Sequence, residues 1–373
     1  MLGWLRGGDA GGVATAEATR DDEHATLPWD GVPWAFAQPA DGVVAVGDLQ
    51  GDLVGLDAIL RMCGMADARG DWCGRSRHLV LAGDLVGGCD DARLLVAFVQ
   101  RLEAQAARAG GRVHALLGNH DVLPAQGEVG KWTRGERRAW RDHPGEGAGE
   151  GPARDAFRGD GPAAKWLRSR NALVRIGDTL FAHAGVGPWL EHADPGAVNA
   201  TIRAWIAHWQ GTADAPPAAT RWTAGVPGMA RESRFACGPL WTRAFKPDGS
   251  RRARGAPARA ELAAWLAQHG AARLAIGHAP VDGGAIATAH PYYGDLVAML
   301  DTRIVDARHG GLSALCIDAR GVRALRFAAE CRDRGCRKRE RQRLAAAPRR
   351  GWLARMFAAL LRWLRRRDKI ARP

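Results

Sequence analysis

The chain has 373 residues, 46% hydrophobic and 25% charged, enough for one large core or two smaller ones in a water-soluble globular protein. No run of ~18 apolar residues occurs, so nothing reads as a membrane-spanning helix. The net charge of +13 is a property of one end: 16 Lys/Arg against 3 Asp/Glu lie between Arg332 and Pro373, which leaves 37 of each sign elsewhere. A basic catalytic surface is therefore not implied.

Met1 to Gly11 lacks the apolar core of a signal peptide, so cytoplasmic residence is expected. The seven cysteines include no C-x-x-C pair and read as reduced thiols. Residues 1–38 are rich in Gly, Ala, Thr and acids without a period and read as a flexible extension. From Asp41 strands and helices alternate. Val43 to Val46 reads as a buried strand, and Leu53, Leu56, Ile59 and Leu60 then recur at helical spacing. His78 to Ala82 is the second strand, followed by a helix carrying Leu94, Leu95, Phe98, Val99 and Leu102; Val113 to Leu117 is the third. This β-α-β-α-β run predicts parallel strands with right-handed crossovers. Residues 125–160 are Gly- and charge-rich and read as an insertion or lid. Leu173 to Ala182 predicts a hairpin turning at Gly177-Asp178. Loops are expected over 208–232 and 245–258, then a helix from Ala260 to His269. Strands follow at Arg273 to Ile276, Val297 to Leu300, Leu315 to Ile317 and Val322 to Phe327.

Several of these strands end in groups able to bind a metal: Asp48 and Gln50, Asp84, Asn119 with His120, His183, and His278. Open α/β sheets place their sites at strand C-terminal ends. Asp48, Gln50, Asp84, Asn119, His183 and His278 form the candidate ligand set. Carboxylate and amide oxygens mixed with imidazoles suit Mn, Fe or Zn better than Ca. A carboxylate such as Asp84 can bridge two ions ~3.5–4 Å apart, which share a hydroxide that attacks phosphorus in line. His120 is placed to protonate the leaving oxygen.

The clusters Gly47-Asp48-Leu49-Gln50-Gly51, Gly83-Asp84, Gly118-Asn119-His120-Asp121, His183-Ala184-Gly185 and Gly277-His278 resemble the signature of the calcineurin-like metallophosphoesterases. Within that superfamily the chain is most similar to the Shewanella-like, bacterial-type protein phosphatases. The residues that carry this likeness are Gly51-Asp52, Gly110 to His114, Gly238 to Arg243, Val198 to Thr201 and Gly310 to Leu315. The resemblance spans about Asp41 to Phe327. It implies an α/β metallophosphatase fold, two mixed β-sheets sandwiched between helices (α/β/β/α), and two divalent ions with Mn2+ foremost. It assigns Asp48, Gln50 and Asp84 to the first ion, and Asp84, Asn119, His183 and His278 to the second. It makes His120 the proton donor and Arg243 a phosphate clamp. The domain division that follows is 1–38, 39–329 and 330–373.

The chain departs from the pattern at Gln50, where the family has His, and at Gly87-Gly88-Cys89, where it has Asp-Arg-Gly. The family's Asp orients the catalytic His and its Arg grips phosphate. Asp90, Asp91 and Arg93 lie further along. The expected function is a phosphomonoesterase, a protein phosphatase acting on Ser/Thr or Tyr phosphate. The alternatives are a dinucleoside polyphosphate hydrolase, suggested by Gln50, Leu85-Val86 and Asp121, and a catalytically weakened phospho-ligand scaffold, suggested by Gly87 and Gly88.

Residues 349–369 form their own pattern. Trp352, Leu353, Met356, Phe357, Leu360, Leu361, Trp363 and Leu364 fall on about one half of a helical wheel, with Arg355, Arg362, Arg365, Arg366 and Lys369 opposite and Arg367 out of place. This basic amphipathic C-terminal helix predicts docking on an anionic membrane surface or on a partner, at the inner membrane face. Nucleic acid ranks third, because aromatic interleaving is thin.

Overall fold

The structure, a computed structural model, describes residues 27–28, 30–130, 132–140, 156–187, 194–217, 238–247, 256–306, 310–328 and 334–346. The amphipathic segment 349–369 lies outside the described residues, as does most of the N-terminal extension.

Strands β2 (Val43–Val46), β3 (His78–Leu81) and β4 (Arg112–Ala115) are parallel neighbours, joined by helices α1 (Leu53–Met62) and α2 (Ala92–Arg108). Strand β9 (Leu312–Asp318) runs antiparallel to β2 and pairs with β10 (Gly321–Phe327), so this sheet is mixed, in the order β10-β9-β2-β3-β4. The second sheet contains β1 (Ala35–Phe36), β5 (Leu173–Ile176), β6 (Thr179–Ala182), β7 (Arg273–Ile276) and β8 (Val297–Met299), in the order β1-β5-β6-β7-β8. The hairpin between β5 and β6 turns at Gly177-Asp178, as the sequence predicts.

Alternation along each strand builds four layers. Val43, Ala45, Val80 and Ala82 of the first sheet meet Val174, Ile176, Phe181, Ala275 and Ala298 of the second in a core between the sheets. Val44, Val46, Leu79 and Leu81 point the other way, against Leu53, Leu56, Ile59 and Leu60 of α1 and Leu95, Val99 and Leu102 of α2. The far face of the second sheet packs on α5 (Pro162–Arg168), α6 (Pro195–Trp209) and α7 (Arg259–Gln268) through Leu167, Val198, Ile202, Leu262 and Leu266. Two short helices, α3 (Asn119–Val122) and α4 (Arg134–Ala139), lie between β4 and α5.

Two expectations need correction. Residues 35–36, assigned to the flexible extension, form β1 because their backbone adds a parallel edge to β5; Phe36 packs onto the inter-sheet core. The expected loop from 208 begins later, because α6 continues to Trp209. Its Asp194 caps the Ala197 amide, and Pro195 sits at the first helical position.

The first part of the basic C-terminal region is docked. Helix α8 (Arg334–Ala346) buries Leu344 in the core of the first sheet and its helices, and Arg343 pairs with buried Asp57 of α1. Arg341 pairs with Asp91 at the start of α2, 2.5 Å away. Among the described residues, no helix is long and apolar enough to cross a membrane.

Candidate metal centre

Every candidate ligand stands just past the C-terminal end of its strand. The first sheet supplies Asp48 and Gln50 after β2, Asp84 after β3 and Asn119 after β4; the second supplies His183 after β6 and His278 after β7. Backbone bonds lash these loops together. The Leu49 and Gln50 amides donate to the Asp84 carbonyl, at 3.2 and 2.6 Å. Asp121 accepts from the Leu85 and Val86 amides through one oxygen, at 2.9 and 3.3 Å, and from the Gly118 amide through the other, at 2.8 Å. Both oxygens of Asp48 accept from the His278 amide, across from the other sheet, at 3.0 and 3.2 Å.

The chain pays for this geometry in backbone strain. Gln50, Asp84 and His278 all take left-handed φ values, +44°, +51° and +57°. Such conformations run to ~1–3 kcal/mol each for non-glycine residues and gather at functional sites. The neighbouring glycines permit close approach: a Cβ on Gly118 would lie 2.2 Å from Asp84 Oδ1, and one on Gly277 2.2 Å from Asp48 Oδ1.

At the centre, His183 Nδ1 lies 2.9 Å from the Ala82 carbonyl, which can only accept. That assigns the ring proton to Nδ1 and leaves a lone pair on Nε2. Nε2 is 3.0 Å from Asn119 Oδ1, 3.1 Å from His278 Nδ1 and 3.4 Å from Asp84 Oδ1. Ligand atoms of Asp84, His183 and His278 all lie within 4.8 Å of one another, and all three residues are buried. Ligand-type atoms of a carboxylate, an amide and two imidazoles converging this closely describe a candidate cation site.

The electrostatics agree. Burial, then the charges of Asp301 and Asp84, pushes the Asp48 carboxyl well above its usual range. Burial and Asp84 lift Asp121 to about 8, and burial raises Asp301. Burial, then His183, Arg243 and His120, holds the His278 imidazole neutral. Among the described residues no Arg or Lys side chain hydrogen-bonds to Asp48, Asp84, Asp121 or Asp301. A divalent cation would relieve this excess of buried negative charge, and the donor set fits one.

The remaining predicted residues surround this cluster. Gln50 lies along Gly88, and among the described residues its side-chain carboxamide makes no hydrogen bond to the other candidates, although its backbone amide donates to the Asp84 carbonyl. His120 donates its backbone amide to Asp84 Oδ1, 2.8 Å, and rests its ring on Gly87. Arg243 is exposed and donates to the His278 carbonyl, 2.9 Å. Sequence reading misses two acids. Asp301 follows β8 and obeys the strand-end rule that found the others. Glu136, in α4, carries no signal in its Gly- and charge-rich surroundings; it is fully buried, and burial lifts its carboxyl to about 7.

Comparison with known proteins points the same way. The calcineurin-like phosphoesterase family model matches residues 42–227. Shewanella-like protein phosphatase 2 of Arabidopsis thaliana is 29% identical over 219 residues, 48% of this chain and 55% of that protein. Shewanella-like protein phosphatase 1 of Plasmodium berghei is 30% identical over 81 residues, 22% of each chain. The match thus spans about half of the first relative's length, and less of the second's. Among solved structures, a cold-active protein tyrosine phosphatase superposes with a TM-score of 0.64 at 20% identity, covering 83% of this chain and 82% of that one. Another, from a psychrophilic Shewanella species, gives 0.61 at 20% identity over 83% and 85%. These structures share the fold, two mixed sheets between helices. With the ordered strand-end clusters and the family match over its N-terminal half, the chain belongs to the calcineurin-like phosphoesterases.

Proposed function

We propose that this protein is a metal-dependent phosphoesterase that hydrolyses phosphomonoesters, as a protein phosphatase of the Shewanella-like kind. The observation that carries the reading is the meeting of Asn119 Oδ1, His278 Nδ1 and Asp84 Oδ1 around His183 Nε2. Asp84, Asn119, His183 and His278 would hold one divalent ion, and Asp48, Gln50 and Asp84 a second, with Mn2+ the first choice. Such ions, when bound, activate water and neutralise charge on phosphoryl oxygens. The chain's own groups do the rest. His120, fixed through its backbone to Asp84, delivers a proton to the leaving oxygen. Arg243, on the rim, grips the phosphate from solvent while its Nη1 stays on the His278 carbonyl.

The test is turnover of p-nitrophenyl phosphate by Mn-loaded protein. Activity that disappears in Asp84→Asn supports the reading; equal rates for the two proteins defeat it. Diadenosine tetraphosphate in the same assay separates the dinucleoside polyphosphate alternative. We also carry forward the anionic-membrane role of residues 349–369. A version ending at Ala346, which keeps α8, should lose co-sedimentation with anionic liposomes that the full chain shows.

A further inference from the structure

Gly87 stands where the family resemblance places the acid that orients the proton donor. The His120 ring occupies that space: a Cβ on Gly87 would lie 2.3 Å from His120 Nδ1. Nδ1 is buried and has no hydrogen-bond partner among the described residues. A carboxylate arrives at the same residue from another part of the chain. The Gly87 amide donates to Oε1 of Glu136, 2.7 Å, while Oε2 is buried and equally unpartnered among the described residues. Buried polar atoms are nearly always paired. Here an imidazole nitrogen and a carboxylate oxygen are both unpaired at one glycine.

The residues that hold Glu136 there include Asp90 and Arg93, which lie a little further along the chain than the second motif. Thr133 Oγ1 accepts the Glu136 amide at 3.0 Å and donates to Asp90 at 2.7 Å. Gly135 lies against the same Asp90 carboxylate, where a Cβ would come within 1.9 Å. Arg93 donates to the Ala139 carbonyl, 3.0 Å, at the other end of α4. Asp90 and Arg93 therefore clamp α4 at both ends, and α4 carries the carboxylate.

We propose that Glu136 is the positioning residue for His120. Its Oε2 accepts the Nδ1 proton of His120 through one bridging water, which fixes the ring with Nε2 free to act on the leaving oxygen. The assignment rests on the phosphoesterase reading for its catalytic consequence, and on geometry alone for the pairing. It gives α4 of the insertion a defined task, replacing an acid lost from the loop after β3.

Glu136→Gln tests it, because the amide keeps the size of the side chain and an acceptor for the Gly87 amide. In Mn-loaded protein, kcat on p-nitrophenyl phosphate should fall about 10- to 100-fold, as for loss of an orienting partner, with KM and metal content unchanged. Glu136→Asp, which restores the charge, should recover part of the loss. Asp90→Ala, at an exposed residue, loosens α4 without touching Glu136 and should lower kcat with KM unchanged. The second readout needs no turnover. Nitrogen-15 spectra of the His120 ring in metal-free protein at fixed pH should show Nδ1 protonated in the wild type and the tautomer shifting toward Nε2 in Glu136→Gln. An unchanged tautomer with unchanged kcat overturns the proposal. A tautomer shift in a protein that never turns over substrate confirms the pairing and defeats the phosphoesterase reading instead.

Discussion

His183 and Asn119 end strands of different sheets, yet His183 Nε2 and Asn119 Oδ1 stand 3.0 Å apart. The centre is thus a seam between the sheets, and an ion bound there binds the native state and not the unfolded chain. Such a ligand at 100 times its Kd stabilises by ~2.7 kcal/mol. We expect EDTA to lower the Tm of Mn-loaded wild type by several degrees. The Tm of His183→Gln should respond less to EDTA than the wild type's, and by elemental analysis the variant should lose about half of the manganese, the share of the ion that His183 would hold. An EDTA response equal to the wild type's would contradict the assignment.

Gly87 has φ of +94°, and its missing Cβ would meet the His120 ring. Gly87→Ala should therefore push the proton donor aside without altering any candidate metal ligand. The expected result is kcat down about 100-fold, the lower part of the range for a general acid, with manganese content intact. Metal loss in parallel with activity would instead mean that the loop itself had collapsed.

The strand-end ligands were legible because each sits a few residues past a short apolar run, and the strand period alone places such residues on one edge. Parallel pairing of β2, β3 and β4 followed from the helices between them. Helix α6 was not legible: Asn199 and Thr201 are buried, Asn199 binding the Ala172 and Leu173 amides and Thr201 the Ala197 carbonyl, so its polar residues mask the core-facing stripe. Glu136 was invisible for a different reason. Its meaning depends on Gly87, 49 residues earlier, and only the fold brings the two together.

Gln50 is the one candidate ligand whose chemistry differs from the family's. Its left-handed φ of +44° suits His as well as Gln, because the loop is held by the Gln50 and Gly51 amides rather than by the side chain. Gln50→His replaces an amide oxygen by a stronger imidazole donor. Titration with manganese should show the weaker of two binding events tightening by about tenfold or more, within the range typical of single changes around metal sites. One unchanged isotherm for both proteins would place Gln50 outside the coordination sphere.

His78 and His114, on neighbouring strands, approach to 3.1 Å between Nδ1 and Nε2, beneath Phe36. The charges facing them are Arg112 on β4 and Arg170 after α5, both positive. Burial, then Arg112, pushes His78 down to about 4; burial, then His78 and the two arginines, pushes His114 down as well. The unfolded residues titrate near 6.5. Between pH 6.5 and 4 the unfolded chain therefore takes up protons that the native state refuses, and stability falls as pH falls. Well above pH 6.5, where both histidines are neutral in the folded and unfolded states, the pair contributes no slope. We expect the urea midpoint to drop more steeply from pH 6.5 to 4 in the wild type than in a His78→Gln, His114→Gln double variant. The Gln side chains keep a polar contact between the strands but do not titrate. Identical slopes would show that other groups govern the acid limb.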